Sequence, residues 1–197
     1  MRYSVVAIGT SWGGLAALTK LLGALPGDFE LPIVVVQHRG TDAERLLGQL
    51  LQDATDLTVC EIEDKDSLKP GTVHVAPANY HVLFDDGYLS LTIEEPVRFS
   101  RPSIDVMLGS AADAYGPNAI GVVLTGANDD GSRGLAQIAA RGGKVLVKDP
   151  KTAEIPIMPI AAINAVPTAE IVPLDRLAKR LMELSKEPAK ERVRNAV

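Results

Sequence analysis

Cysteine occurs once in the 197 residues, at Cys60. It has no second thiol to pair with and no CxxC or histidine-spaced companion, which excludes an internal disulfide and argues against a structural zinc site. A reducing, intracellular compartment fits such a chain. Neither sign of charge dominates, because 20 Lys and Arg stand against 25 Asp and Glu. That balance gives no nucleic-acid surface and no anionic-membrane surface. No apolar run reaches bilayer length, and Met1-Arg2-Tyr3-Ser4 leads directly into an apolar strand without a signal peptide's core and cleavage site. The expectation is a cytoplasmic protein with no direct membrane insertion. Internal repeats and inter-domain linkers are also missing, and a hydrophobic content of 46% is enough for one core.

What the chain does have is organised around Val5-Val6-Ala7-Ile8-Gly9-Thr10-Ser11-Trp12-Gly13-Gly14. An apolar run suited to a buried parallel strand stops at Gly9. Leu15, Leu18, Leu22 and Leu25 then recur at helical spacing. Ser11 falls on the strand-to-helix turn, with its hydroxyl lifted from the sheet close to backbone N–H groups at a helix start. The letters fit G-x-S-x-G, the nucleophile-elbow pattern. Two plainer readings compete with this one. Ser11 could simply cap the helix. The stretch could also be a dinucleotide loop, but Ser11 replaces the second glycine of G-x-G-x-x-G, and the next strand ends in Gln37-His38 rather than in an acid for a ribose.

Further along, Ile33-Val34-Val35-Val36 reads as a second buried strand with His38 at its carboxyl end, and Thr41-Asp42-Ala43-Glu44 as the cap of a helix bearing Leu46, Leu47, Leu50 and Leu51. Leu57–Cys60 and Thr72–Ala76 read as short strands. His81–Phe84 and Tyr88–Ile93 alternate around Asp85-Asp86-Gly87 as an antiparallel hairpin that extends or flanks the main sheet. Ser103 is a credible cap for a helix with Ile104, Met107, Leu108, Ala111, Ala112 and Tyr115 on one face. Ala119 to Leu124 is another apolar strand, and Thr125 to Ser132 a second glycine-punctuated loop before a helix through Leu135 and Ile138. Lys144–Val147 is a strand, Ile157–Ile160 a small apolar turn, and Leu174 to Leu184 a last amphipathic helix. Strands alternating with helices predict a three-layer, doubly wound α/β domain with a mainly parallel sheet, over residues 1–185. The charged tail, 186–197, is expected to be disordered.

Acyl transfer by serine needs a base, a group that orients the base, and donors for an oxyanion. Open parallel sheets carry their sites outside the carboxyl ends of the strands. Ser11, His38, and Asp129 or Asp130 all fall there. One of the two aspartates can cap the following helix while the other orients His38, and spacing does not say which. His74 and His81 sit inside strand patterns and read as ordinary sheet residues. Arg98 and Arg101 read as solvated loop charges, or as a grip on an acidic partner beside the crevice.

These blocks, in this order, resemble the catalytic domain of CheB-type chemotaxis protein-glutamate methylesterases from about Val5 to Leu184. Ile8-Gly9-Thr10-Ser11-Trp12-Gly13-Gly14 is similar to the family's nucleophile loop, Val36-Gln37-His38 to its histidine strand end, and Val73-His74-Val75-Ala76-Pro77 to its central strand. Arg101-Pro102-Ser103-Ile104-Asp105 resembles the loop before its middle helix, Leu124 to Gly131 its acidic loop, and Met158-Pro159 its late turn. The resemblance implies Ser11 as nucleophile, His38 as general base and acid, and Asp130 as the orienting carboxylate. Trp12, Thr125, Gly126, Ala127 and Arg101 would surround the oxyanion and substrate. No metal or organic cofactor is implied.

The implied reaction demethylates glutamate methyl esters, and deamidates glutamines, on a chemoreceptor-like protein. A signalling kinase or a separate response regulator are further candidate partners. Trp12 stands where a threonine is usual, Ala127 where a methionine is usual, and Arg39-Gly40-Thr41 replaces a methionine-proline run, so the mouth of the site is altered. The family's phosphoryl-receiver domain has no counterpart in this sequence, so a stand-alone role is expected. The alternative is a catalytically silent adaptor that binds receptor or kinase partners through the same groove.

Overall fold

The computed structural model describes residues 3–38 and 46–187. The expected cap at Thr41-Asp42-Ala43-Glu44, the altered mouth residues Arg39 and Gly40, and the tail from residue 188 onward lie outside the described residues. In chain order the elements are β1 (Val5–Thr10), α1 (Gly14–Leu22), β2 (Ile33–Gln37), α2 (Leu46–Gln52), β3 (Thr58–Glu61), β4 (Asp66–Ser67), β5 (Thr72–Val75), β6 (His81–Phe84) and β7 (Tyr88–Thr92). They continue with α3 (Ile104–Tyr115), β8 (Ala119–Val123), α4 (Ser132–Ala140), β9 (Lys144–Lys148), α5 (Ile157–Ala165), β10 (Glu170–Val172) and α6 (Leu174–Lys186).

Seven strands form a parallel sheet in the order β10-β9-β8-β1-β2-β5-β3. Parallel strands buried on both faces need apolar side chains at every position, which is why β1, β2 and β8 read as continuous apolar runs. The alternation is still present, divided between two cores. Val6, Ile8, Ile33, Val35, Ile120 and Val122 pack with Leu18, Leu21 and Leu22 of α1 and Leu177 and Leu181 of α6. Val5, Ala7, Val34, Val36, Val123 and Val147 pack on the other face with Ile104, Leu108, Leu135, Met158 and Ala162 of α3, α4 and α5.

The hairpin pairs with β4 in a separate three-stranded antiparallel sheet, order β4-β7-β6. It lies on the α3 side, where Val82, Phe84 and Leu89 join the second core. The sheet therefore flanks the main one instead of widening it.

β1 has β2 on one side and β8 on the other, so the chain leaves it in opposite directions and opens a crevice at its carboxyl end. The first residue of α3 is driven into that crevice. A Cβ on Gly9 would meet the Ile104 side chain at 2.1 Å, and one on Gly131 would meet it at 2.7 Å. Two glycines thus let Ile104 seat the start of α3 against β1 and the loop after β8. Gly131 also adopts φ +100°, which a side chain would resist.

One expectation is corrected, since Ile157–Ile160 is the first turn of α5 and not an isolated turn. Glu170–Val172, for which the sequence pattern predicts no element, adds an edge strand to the sheet.

Candidate active site

Ser11 leaves β1, His38 leaves β2, and the register that places Thr10 opposite Gln37 brings the two residues level at the sheet edge. The His38 N–H donates to the Thr10 carbonyl at 3.0 Å, and the Ser11 N–H donates to the Thr125 carbonyl in the loop after β8 at 2.8 Å. The turn is thereby tied to both neighbouring strands. Ser11, Trp12, Gly14, Gln37 and His38 line one open cavity of about 580 Å³.

Ser11 does not cap α1. The cap position is Gly13, with no side-chain hydrogen bond, and the Ser11 hydroxyl makes no hydrogen bond among the described residues. The half-buried Gln37 side chain clamps the turn instead. Its Nε2 donates to the Ser11 carbonyl at 2.8 Å and to the His38 carbonyl at 3.0 Å. The sequence shows Gln37 only as a strand end, because the clamp exists only once the β1–β2 register is fixed.

His38 Nε2 lies 2.8 Å from Asp130 Oδ2, with the carboxylate wholly buried and the imidazole nearly so. Asp130 Oδ2 also accepts the Ile104 N–H at 2.8 Å, and Oδ1 accepts the Asp105 N–H at 2.9 Å and the Ser103 hydroxyl at 3.0 Å. Burial works to raise the Asp130 pKa, but hydrogen bonds from His38 and from the Asp105 and Ile104 N–H groups outweigh it and hold the carboxyl below its ordinary value. The start of α3 adds the positive end of a helix dipole. A carboxylate only accepts, so neutral His38 carries its proton on Nε2 and keeps a lone pair on Nδ1.

Asp129 has the opposite environment, half exposed and ion-paired with Arg98. Neither aspartate caps α4 through its side chain, which corrects the expected division of labour: the cap residue is Gly131, and its N–H donates to Asp105 at 2.8 Å. Ser103 does cap α3, accepting from Val106 N–H at 3.4 Å.

The other expected residues are spread over several tasks. Thr125 is buried, and its hydroxyl donates to the Ile155 carbonyl at 3.0 Å and accepts the Ile155 N–H at 3.0 Å, pinning the segment before α5. Gly126 backs onto the Ser11 turn, where an added Cβ would lie 2.9 Å from Ser11 Cβ. Its N–H is engaged by the Ile155 carbonyl at 3.2 Å. The N–H groups of Trp12 and Ala127, by contrast, make no hydrogen bond among the described residues, and both residues are exposed. Arg101 directs its guanidinium at the Ile93 and Glu94 carbonyls, 2.8 and 3.1 Å away.

The remaining histidines are held in packing roles. His81 Nδ1 accepts the Ser103 N–H and its Nε2 contacts the Glu95 carbonyl, while His74 lies 3.5 Å from Cys60. Burial pushes the Cys60 thiol up and the His74 imidazole down, so both stay neutral. Among the described residues, no group of three or more His, Cys, Asp or Glu side chains could hold a metal ion, and no helix is long and apolar enough to cross a membrane.

Fold and site together define a doubly wound α/β domain that gathers a serine, an imidazole and a buried carboxylate at the carboxyl edge of its sheet. A sequence model of the CheB methylesterase family matches residues 6–181, and the chain belongs to that family. It is 41% identical over 193 residues to a putative protein-glutamate methylesterase/protein-glutamine glutaminase of Leptospira interrogans, covering 98% of this chain and 100% of that protein. It is 37% identical to protein-glutamate methylesterase FrzG of Myxococcus xanthus, covering 92% of this chain but 54% of the relative. The crystal structure of the Thermotoga maritima CheB methylesterase catalytic domain superposes with a TM-score of 0.88 at 32% identity, over 93% of this chain and all of that one.

Proposed function

We propose that this protein is a cytoplasmic serine hydrolase that removes methyl groups from glutamate methyl esters on a chemoreceptor-like signalling protein, with deamidation of glutamines as a second outcome of the same chemistry. Residues 1–185 form its catalytic domain. The observation that carries this reading is the 2.8 Å contact between His38 Nε2 and the buried Asp130, beside Ser11. Family membership supports the choice of substrate.

Ser11 Oγ attacks the γ-carbonyl carbon of the ester and passes its proton to His38 Nδ1. Asp130 stabilises the imidazolium that forms. The N–H groups of Trp12 and Ala127 receive the oxyanion. Collapse breaks the bond to the methoxy oxygen, which leaves as methanol with the proton from His38. Water, deprotonated by His38, then attacks the acyl-enzyme, releasing glutamate and restoring the Ser11 hydroxyl. With a glutamine side chain, ammonia leaves in place of methanol.

Hydrolysis of a small activated ester by wild type and by Ser11→Ala tests the assignment. The substitution should lower kcat by about a thousandfold or more. Equal rates would remove Ser11 from the reaction.

A further inference from the structure

The helices α3 and α4 close each other's N-termini with exchanged acids. Asp130, in the loop that leads into α4, gives its carboxylate to the N–H groups of Ile104 and Asp105 at the start of α3. Asp105, in the first turn of α3, returns the arrangement: its Oδ1 accepts the Gly131 N–H at 2.8 Å and the Gly134 N–H at 2.9 Å, both at the start of α4. Each acid therefore does for the other helix what a capping side chain usually does for its own. The two helix starts are pressed close together, since a Cβ on Gly134 would meet the Asp105 carbonyl oxygen at 2.9 Å.

The exchange couples Asp105 to His38 without contact between them. Asp130 immediately precedes Gly131, whose N–H is one of the two groups held by Asp105. The same Asp130 oxygen, Oδ2, faces both His38 and Ile104. Releasing Gly131 and Gly134 leaves the Asp130 carboxylate's own bonds to Ser103, Ile104 and Asp105 to tie the loop after β8 to α3, so a shift of that loop moves Asp130 against the imidazole. Displacements near 1 Å can cost on the order of a hundredfold in rate where a reacting group must be held in line.

We infer that Asp105 is a positioning residue for the proposed reaction, setting the contact between Asp130 and His38 by holding the start of α4. This rests on the reading of Ser11, His38 and Asp130 given above. Both backbone bonds end on Asp105 Oδ1, whereas Oδ2 meets, among the described residues, only the exposed Arg133, at 3.1 Å. The role therefore needs an acceptor and not a charge.

The test compares wild type, Ser11→Ala, Asp105→Asn and Asp105→Ala on a peptide bearing a glutamyl γ-methyl ester, reading methanol release together with the downfield imidazole N–H proton resonance. Asp105→Ala should lower kcat about tenfold or more, keep KM within about twofold, and shift or broaden the resonance. Asp105→Asn, which keeps the acceptor, should restore kcat to within about threefold of wild type. If Asp105→Ala does not fold, Asp105→Ser, whose hydroxyl is one bond shorter than the carboxylate and weakens the hold on both N–H groups, should show a loss of kcat with the same change in resonance. An unchanged kcat and resonance in folded Asp105→Ala or Asp105→Ser, or an Asp105→Asn as impaired as Asp105→Ala, overturns the inference alone. A wild type no faster than Ser11→Ala overturns the functional reading and the inference with it.

Discussion

His38 meets Asp130 through Nε2, at 2.8 Å, which leaves the other ring nitrogen, Nδ1, outside that contact. That orientation makes the Asp130 carboxylate responsible for the tautomer. Asp130→Asn keeps the shape but can present an N–H where the imidazole requires an acceptor, as in the well-studied serine-protease triad. The kcat for ester hydrolysis should fall about a thousandfold or more, with KM little changed.

The same carboxylate ties stability to acid. Its folded-state pKa lies below the ordinary 3.8, so its contribution is complete above that value and is lost as pH falls through the folded one. Thermal melts from pH 6 to pH 3 should show a fall in Tm below about pH 4 that is shallower in Asp130→Asn. Parallel curves would contradict the burial and bonding described for Asp130.

Gln37 holds the carbonyls of Ser11 and His38 with one amide. Gln37→Met preserves volume and removes both bonds. Covalent labelling of Ser11 by a serine-directed phosphonate should slow by about tenfold while Tm falls by only a few degrees, since one or two net hydrogen bonds are worth about 1 kcal/mol each. Unchanged labelling would show that the turn keeps its geometry without the clamp.

Gly126 brings the loop after β8 close against the Ser11 turn. An added Cβ would meet Met158 Cε at 2.5 Å and Ser11 Cβ at 2.9 Å. Gly126→Ala should lower both stability and ester hydrolysis. Combining it with Met158→Ala should recover part of the stability but little of the activity, because only the contact with the methionine is relieved. Full recovery of activity in the double variant would mean that the approach to Ser11 is not limiting.

The sheet was legible in the sequence because burial on both faces writes each central strand as an unbroken apolar run, as in Val5 to Ile8 and Ala119 to Leu124. The α5 helix was not, because Pro159 reads as a breaker. It occupies the first turn, where the N–H it lacks has no helical partner to lose. The three-residue β10 is too short to show a period. Its place at the sheet edge depends on pairing with β9.

For the site, chain order and strand ends were enough to nominate Ser11 and His38. Asp129 and Asp130 could not be separated by spacing, since adjacent residues share every local signal. They diverge because Arg98 draws one outward while the N–H groups of α3, more than twenty residues earlier in the chain, draw the other in. The cross-bracing by Asp105 was invisible for the same reason. In the sequence it is an ordinary acid in a helix's first turn, and only the packing of α3 against α4 shows which helix it serves.

The central claim is that Ser11 carries the glutamyl group between methanol and water. Mass spectrometry of enzyme acid-quenched during turnover of a peptide with a glutamyl γ-methyl ester reads this directly. The account predicts an adduct on the Ser11 peptide equal to the substrate minus methanol, absent in Ser11→Ala. Methanol release with Ser11 unmodified, and undiminished in Ser11→Ala, would contradict it.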